Sequence, residues 1–409
     1  MGNRPVAERE GFEPSIRFWR ILTFQASAFD HSATAPHALD GVGPSGTILL
    51  SQGAGAWQGG GMKRMAASAA ALFAAIILAA NATPMATTPP PAASPGAIID
   101  AAPASDWVVI APADLLVMEL AGDARGPSTS SGLRRVVIQL MPPPFSQGWI
   151  GNIRKLAAAH WWDGLSINRV QDNYVVQWGD ASEKKVLPTG LAVVSAEHYL
   201  ESITGITVDG AESVTESPEF SYGSGRDAYS GEVGFVGGWP MAKAGEWIVA
   251  KRNKRGKVVK PEYYSAAQYG PVHCYAAVGV ARSLPPDTGW GAELYTVIGH
   301  APRHLDRNIA VIGRVIEGIE HLSSLPRGTG ALGFYESEAE RVPIRSVRLG
   351  NEIEADPLPA YEYLSTKSQS FARYADARAN RREAFFVRPA GGADICNIPV
   401  PVRRVKAAR

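Results

Sequence analysis

The chain has 409 residues, enough for two or three domains, and 45% of them are hydrophobic, enough for a proper core. Its 40 basic and 39 acidic side chains nearly cancel, which argues against a general polyanion-binding protein. Two cysteines, Cys274 and Cys396, are too few for a disulfide scaffold.

The N-terminal part of the chain carries a pattern typical of export. Residues 1–61 are glycine-rich in part and show no sustained period, whereas 62–82 contain Met-Lys-Arg, an apolar run and an Ala-Asn-Ala cleavage site. We interpret 62–82 as a signal peptide, with translation starting at Met62, and 1–61 as a disordered segment that over-extends the true gene. The alternative is a membrane anchor that is never cleaved, but the apolar run of about 15 residues is shorter than the roughly 20 that span a bilayer.

The next part of the chain predicts a linker, several strands and a helix. Residues 83–105 are rich in Pro and Ala and are expected to be a disordered linker. Alternation and β-branched content predict strands over 106–110, 115–120 and 135–140, and the spacing of apolar residues predicts a helix over 149–160.

The stretch 161–180 predicts a hairpin that could hold an extended peptide. Its strands are 166–170 and 174–178, joined by Gln-Asp-Asn, a sequence of turn-forming residues. The strands bring together a cation and an amide, which could donate hydrogen bonds to a peptide carbonyl, and an apolar pair, which could hold a ring. These residues are Arg169, Gln177, Tyr174 and Val175.

This stretch resembles the signature of the cyclophilin-type peptidyl-prolyl isomerases, in which Phe-His-Arg precedes Phe-Met-x-Gln-Gly-Gly-Asp. The resemblance places Arg169 on the catalytic arginine and Gln177 on the peptide-binding glutamine. Tyr174 and Val175 fall on the Phe and Met of the proline pocket. This chain departs from the signature at Ile167-Asn168 and at Trp178.

The resemblance continues in order over 273–318, with several substitutions. Gly279-Val280-Ala281 stands for the family's Ala-Asn-Ala, and Ile309 stands for a histidine. The remaining substrate-binding positions implied by the resemblance are Glu293 for a Gln, Tyr295 for a pocket Phe, His304 for a Trp and Leu305 for a Leu.

Between the two halves lies an insertion at about 181–272. Residues 245–260 predict a hairpin with a tight turn, and six cations fall between Lys251 and Lys260. They could form a nucleic-acid patch or a solvated turn that protects an edge strand. No aromatic residues are interleaved and the net charge is near zero, so we favour the solvated turn and expect no nucleic-acid partner.

The fold implied by the resemblance is mainly β with a few helices, a closed antiparallel barrel capped by helices. It occupies 106–350, with the insertion inside it, and 351–409 form a C-terminal extension with a surface helix over 367–385. Cys274 and Cys396 either form one disulfide in an exported protein or remain unpaired thiols.

The function implied is peptidyl-prolyl isomerisation that assists the folding of exported proteins, acting on proline-containing segments in the periplasm. Arg169 is the expected donor, and the reaction needs no cofactor or metal. His300 and His304 are separated by Pro302, which disfavours a helical metal site. After cleavage of the signal we expect no stable membrane insertion. The alternative function is a proline-peptide-binding or chaperone module with little turnover, suggested by Val280, Glu293 and Ile309.

Overall fold

The structure is a computed structural model, and it describes residues 92–123, 133–202, 220–221, 227–248, 265–353 and 358–405. The strands in these ranges are β1 (Trp107–Ile110), β2 (Leu115–Asp123), β3 (Leu133–Leu140), β4 (Ser166–Val170), β5 (Val175–Gly179), β6 (Glu201–Ser202), β7 (Phe220–Ser221), β8 (Val233–Val236), β9 (Trp239–Ile248), β10 (Ser265–Pro271), β11 (Ala277–Val280), β12 (Leu294–Val297), β13 (Val311–Glu317), β14 (Val342–Leu349), β15 (Tyr361–Leu364) and β16 (Val402–Arg404). The α-helices are α1 (Pro95–Asp100), α2 (Gln147–Ala158), α3 (Glu320–Ser323) and α4 (Gln369–Ala379).

A closed antiparallel barrel organises the fold. Its strand order is β11-β12-β5-β4-β14-β2-β3-β13, and β13 pairs with β11 to close it. Side chains alternate between the two faces of a strand, yet every residue of β5 is buried, so both of its faces are covered. Met118, Leu120 and Ile138 are fully buried in the main core. The expected fold, a mainly β protein built on a closed barrel, is confirmed.

Helix α2 packs on the barrel because its apolar residues share one face. Trp149, Ile150, Ile153 and Leu156 follow helical spacing and are all buried. The indole N–H of Trp149 donates to the carbonyl oxygen of Thr288 at 3.1 Å. The helix was predicted over 149–160, and it begins and ends two residues earlier.

The insertion forms a sheet of its own. Its strand order is β6-β10-β9-β8-β7. Of the hairpin predicted over 245–260, only 245–248 lie within the described residues; there Ile248 lies opposite Ser265, and β9 pairs with β10. Strand β10 contributes the buried Tyr269 and continues to Pro271, which lies opposite Met241. The cationic run 251–260 lies outside the described residues.

The segments before and after the barrel meet in a second sheet, β1-β15-β16. The prediction of a disordered linker over 83–105 is wrong for 92–105, because these residues contain α1. Residues 83–91 lie outside the described residues. Ser94 begins α1, and its hydroxyl accepts from the backbone N–H of Ala97 at 3.2 Å. Ile98 and Ile99 pack against a second apolar cluster, so this Pro/Ala-rich segment has enough apolar surface to fold.

Helix α4 is also more than a surface helix. Phe371, Tyr374 and Ala375 are buried at helical spacing in the second cluster. The ring of Phe371 lies 5.0 Å from that of Phe235 in β8, centroid to centroid. The prediction of a surface helix is wrong for this face, because the C-terminal extension and the insertion share a core.

Cys274 and Cys396 form a disulfide, the first of the two alternatives considered for them. It joins the segment between β10 and β11 to the C-terminal extension. Residues 1–91 lie outside the described part of the chain, so the signal peptide and the start at Met62 stay predictions. Among the described residues, no helix is both long and apolar enough to cross a membrane.

Candidate active site

A β-bulge brings Arg169 and Gln177 together. The register of β4 on β5 shifts between Ile167 and Arg169, so that Ile167 lies opposite Trp178 and Arg169 opposite Gln177. Bulges re-aim side chains in this way next to many active sites. As a result, Nη1 of Arg169 donates to Oε1 of Gln177 at 3.2 Å.

The guanidinium of Arg169 is held by hydrogen bonds and lies against two aromatic rings. Its Nε donates to the carbonyl oxygen of Leu332 at 2.8 Å, and its Nη2 donates to Oε1 of Gln171. Its Cζ lies 5.7 Å from the ring centroid of Tyr174 and 5.3 Å from that of Phe334. The residue is 3% exposed. Burial lowers the pKa of Arg169 to about 10, so the group stays charged at neutral pH.

The sequence reasoning missed the segment that covers Arg169. Arg169 and Phe334 form an isolated antiparallel bridge, which brings 328–335 against β4. Gly333 has a φ of +78°, and a Cβ there would lie 2.7 Å from the carbonyl oxygen of Val170. The spacing Gly328-x-Gly330-x-x-Gly333 is the one signal in the sequence that marks this close approach.

Tyr174 and His304 form an aromatic pair beside the arginine. Their ring centroids are 6.3 Å apart and the planes are within 11° of parallel. Partial burial, together with the nearby His273, lowers the pKa of His304, which favours its neutral form. Val175 and Leu305, the other expected pocket residues, are buried and belong to the main core cluster.

Tyr295 lies on the strand next to the arginine hairpin. It is opposite Gln177 on β5 and opposite Gly279 on β11. A Cβ on Gly279 would lie 2.4 Å from the Tyr295 ring, so the glycine makes room for that ring. Burial raises the pKa of Tyr295 well above its ordinary value, and its hydroxyl stays protonated.

Glu293 lies behind Gln177. Its Oε1 accepts from the backbone N–H of Asp180 at 2.6 Å, and the side-chain amides of Asn168 and Gln177 also bond to it. Burial raises the pKa of Glu293 to about 8, so the carboxyl is mostly neutral at pH 7. A Cβ on Gly179 would lie 1.9 Å from Oε1 of Glu293, so the glycine leaves space for this carboxyl.

The structure thus joins most of the expected site residues by direct contacts. Arg169, Gln177, Tyr174, Glu293 and Tyr295 surround one end of the β4–β5 hairpin, with Gly279 and His304 against the two tyrosines. In the described ranges, no group of histidine, cysteine, aspartate and glutamate side chains could hold a metal ion.

A pH series on Glu293→Gln should isolate this buried carboxyl. Because the pKa of Glu293 is raised in the folded protein, folding is weakened as pH rises from about 4.5 to about 8. The loss amounts to about 5 kcal/mol at most, since each pH unit between those two values contributes roughly 1.4 kcal/mol. We expect the melting temperature of the wild-type chain to fall across this window and that of Glu293→Gln to stay flatter.

Glu317→Gln is the matched control for that series. Burial alone would raise the pKa of Glu317. The hydrogen bond from Arg404 outweighs this effect, so the pKa lies below its ordinary value. Its own effect on stability therefore lies below about pH 4.5. This variant should keep the wild-type slope above that pH, and a Glu293→Gln curve parallel to wild type would contradict the assignment.

The barrel and the arginine-bearing hairpin define a mainly β protein with a closed antiparallel barrel. A comparison with protein families shows which family it belongs to. Residues 131–349, more than half of the chain, match the family described as cyclophilin type peptidyl-prolyl cis-trans isomerase/CLD. The chain belongs to this family, and it is an isomerase of the peptidyl-prolyl cis-trans class.

Several solved structures are similar to the chain, whereas no curated protein matches it. The cyclophilin AquaCyp293 from Hirschia baltica has 19% identity and a TM-score of 0.48, covering 73% of this chain and 94% of that one. A Cryptosporidium parvum cyclophilin type peptidyl-prolyl cis-trans isomerase, in the presence of the dipeptide Ala-Pro, has 10% identity and a TM-score of 0.28, covering 57% and 98%. The structure of the same Cryptosporidium parvum protein without the dipeptide has 11% identity and a TM-score of 0.29, covering 59% of this chain and 99% of that one.

Proposed function

We propose that this chain isomerises X–Pro bonds in exported proteins and that Arg169 is the donor that accelerates the rotation. The observation that carries the proposal is the buried guanidinium of Arg169, bonded to Gln177 and lying against Tyr174. The family match supports the reaction, while the role of Arg169 follows from its position and its chemistry.

The reaction requires no bond to be made or broken. Resonance in the amide sets a rotation barrier of about 18–20 kcal/mol, whereas the trans preference of an X–Pro bond is only about 0.5–1 kcal/mol. A catalyst must therefore bind the twisted amide more tightly than either planar form. When the prolyl nitrogen pyramidalises, its lone pair localises and becomes a better acceptor, and a hydrogen bond from Arg169 strengthens at that point.

The surrounding residues hold the donor and the substrate. Gln177 accepts from Arg169 through Oε1, and its amide bonds to Glu293, so the glutamine is oriented from both ends. We assign it to positioning the guanidinium and to holding the carbonyl before the proline. Tyr174, Tyr295 and His304 provide the aromatic surface for the proline ring. The low pKa of His304 keeps a second positive charge away from Arg169.

Exchange measurements on a proline peptide test the reaction directly. The chain from residue 83 onward should increase cis–trans exchange of an Ala-Ala-Pro-Phe peptide, measured by two-dimensional exchange NMR. Peptide binding without faster exchange would instead support the module with little turnover. The burial of Arg169 beneath Leu332 and Phe334, and of Val280 in the core, is what favours that second candidate.

The site of action in the cell is a separate part of the proposal. The signal pattern over 62–82 and the disulfide Cys274–Cys396 both support export, since structural disulfides persist in oxidising compartments. N-terminal sequencing of the mature protein from the periplasmic fraction should begin after Ala82. A mature chain that retains residues 62–82 in the membrane fraction would favour tethering by the uncleaved signal.

A further inference from the structure

A buried histidine that the proposed mechanism does not use touches the proline pocket. Nε2 of His273 lies 2.9 Å from the hydroxyl of Tyr295, and the two rings are within 9° of parallel at 6.3 Å between centroids. His273 is fully buried, immediately before the disulfide cysteine Cys274. Its ring contacts the pocket through Tyr295.

The other side of His273 is bound to a carboxylate. Oδ1 of Asp306 accepts from both the backbone N–H and Nδ1 of His273, each at 2.9 Å. Burial alone would raise the pKa of Asp306. The hydrogen bonds from His273 and Arg303 outweigh this effect, so the pKa lies below its ordinary value. Since an ionised carboxylate can only accept, Nδ1 carries a proton, and Nε2 is directed at the hydroxyl of Tyr295.

The carboxylate is in turn held by an arginine that reaches the insertion. Nε of Arg303 donates to Oδ2 of Asp306 at 2.6 Å. Its two terminal nitrogens donate to the two carboxylate oxygens of Asp227, at 2.9 and 3.1 Å. The side chains of Arg303 and Asp227 are 2% and 5% exposed, and the exposed Asp394 lies 3.7 Å from Nη1 of Arg303.

These contacts form one continuous series, Asp227–Arg303–Asp306–His273–Tyr295, which we call the relay. Asp227 belongs to the insertion and Tyr295 to the pocket. The link between Arg303 and Asp227 is partly buried and the other three links are buried. Three of the four hydrogen-bonded links are to a carboxylate, and such bonds hold side chains in one orientation. Gly279 provides the space that the Tyr295 ring occupies in this orientation.

We propose that the insertion sets the affinity of the proline pocket, with Asp227 acting through the relay as a positioning residue for Tyr295. This inference rests on the proposed function, because it assigns Tyr295 to the pocket. A ring whose hydroxyl is fixed loses little freedom when the proline binds, and such preorganisation strengthens binding. The contact with the ring is the same in the planar and twisted forms, so the relay acts on peptide binding and leaves the rotation step unchanged.

The decisive experiment compares Asp227→Asn, Tyr295→Phe and the double variant with the wild-type chain. Dissociation constants for an Ala-Ala-Pro-Phe peptide come from NMR titration, and exchange rates of the bound peptide come from the same samples. Each single variant should weaken binding about fivefold, the effect of losing one hydrogen bond. The exchange rate at saturation should change by less than about twofold. The double variant should bind no more weakly than Tyr295→Phe, because both changes remove the same constraint.

Glu232→Gln is the matched control within the insertion. Glu232 pairs with Lys243 at 3.4 Å and is not a member of the relay, so its variant should bind like the wild type. Single-variant effects that multiply in the double variant would overturn the proposal, as would wild-type affinity in Asp227→Asn. If Asp227→Asn does not fold, Tyr295→Phe alone decides, since it removes only a hydroxyl; unchanged affinity there refutes the relay.

The outcome can be separated from that of the proposed function. A change at Arg169 should alter exchange at saturation, whereas a change in the relay should alter the dissociation constant. A wild-type chain that binds the peptide without accelerating exchange overturns the proposed function alone. A wild-type chain that does not bind the peptide overturns both.

Discussion

Arg169→Lys should lower the rate of proline isomerisation about 100-fold, the usual loss when one donor to a transition state is removed. Lysine keeps the positive charge but lacks the planar fork, which in Arg169 reaches Leu332 and Gln177 at once. The ammonium group cannot bond to both partners and also face the prolyl nitrogen. The peptide should still bind, because the aromatic pocket residues are unchanged.

Arg314→Lys is the matched control for this substitution. Arg314 is also held by an amide oxygen, that of Gln139, and by an aromatic ring, that of Trp239 at 4.5 Å. Burial lowers its pKa to about 10, as it does for Arg169. The two variants should lose similar stability, but only Arg169→Lys should lose activity. Exchange that is equally fast in both variants would refute the role of Arg169.

Removing the disulfide should produce the largest change in stability. We expect Cys274→Ser with Cys396→Ser to lower the free energy of unfolding by about 3–5 kcal/mol. The two cysteines are 122 residues apart, and a crosslink that closes so long a loop restricts the unfolded chain strongly. Both cysteines also pack against the second apolar cluster, which contains Phe371 and Ile398.

Urea unfolding of the double variant and the wild type, with and without reductant, measures this effect. Reductant should destabilise the wild-type chain and leave the double variant unchanged. Equal unfolding midpoints for the oxidised wild type and the double variant would show that the bond contributes nothing to stability. Peptide affinity in the same samples shows whether the position of His273 depends on the bond.

Sequence reasoning located the hairpin of the candidate site because its signals are local. Alternation over 166–178 defined two strands joined by turn residues, and the β-bulge that sets Arg169 opposite Gln177 came from the structure. The resemblance added Tyr295 and His304 from the second half of the chain, and the structure places both next to the hairpin residues.

Local patterns were misleading where distant segments meet. Residues 92–105 are Pro/Ala-rich and α4 is highly charged, so neither shows that both pack with the insertion into a second cluster. The partners of Arg169 in 328–335, and those of Tyr295 at His273, are also far away along the chain. No periodicity connects them, because a single buried contact imposes no pattern on the intervening residues.

By itself, the sequence determined the arginine-bearing hairpin, since alternation and turn residues act between near neighbours, whereas the mainly β barrel was implied by the resemblance to the family. Only the tertiary structure decided how Arg169 is enclosed, how Glu293 is kept neutral and how Asp227 is connected to Tyr295. Those features depend on burial and on hydrogen bonds between residues that are brought together only when the barrel closes and the insertion packs against it.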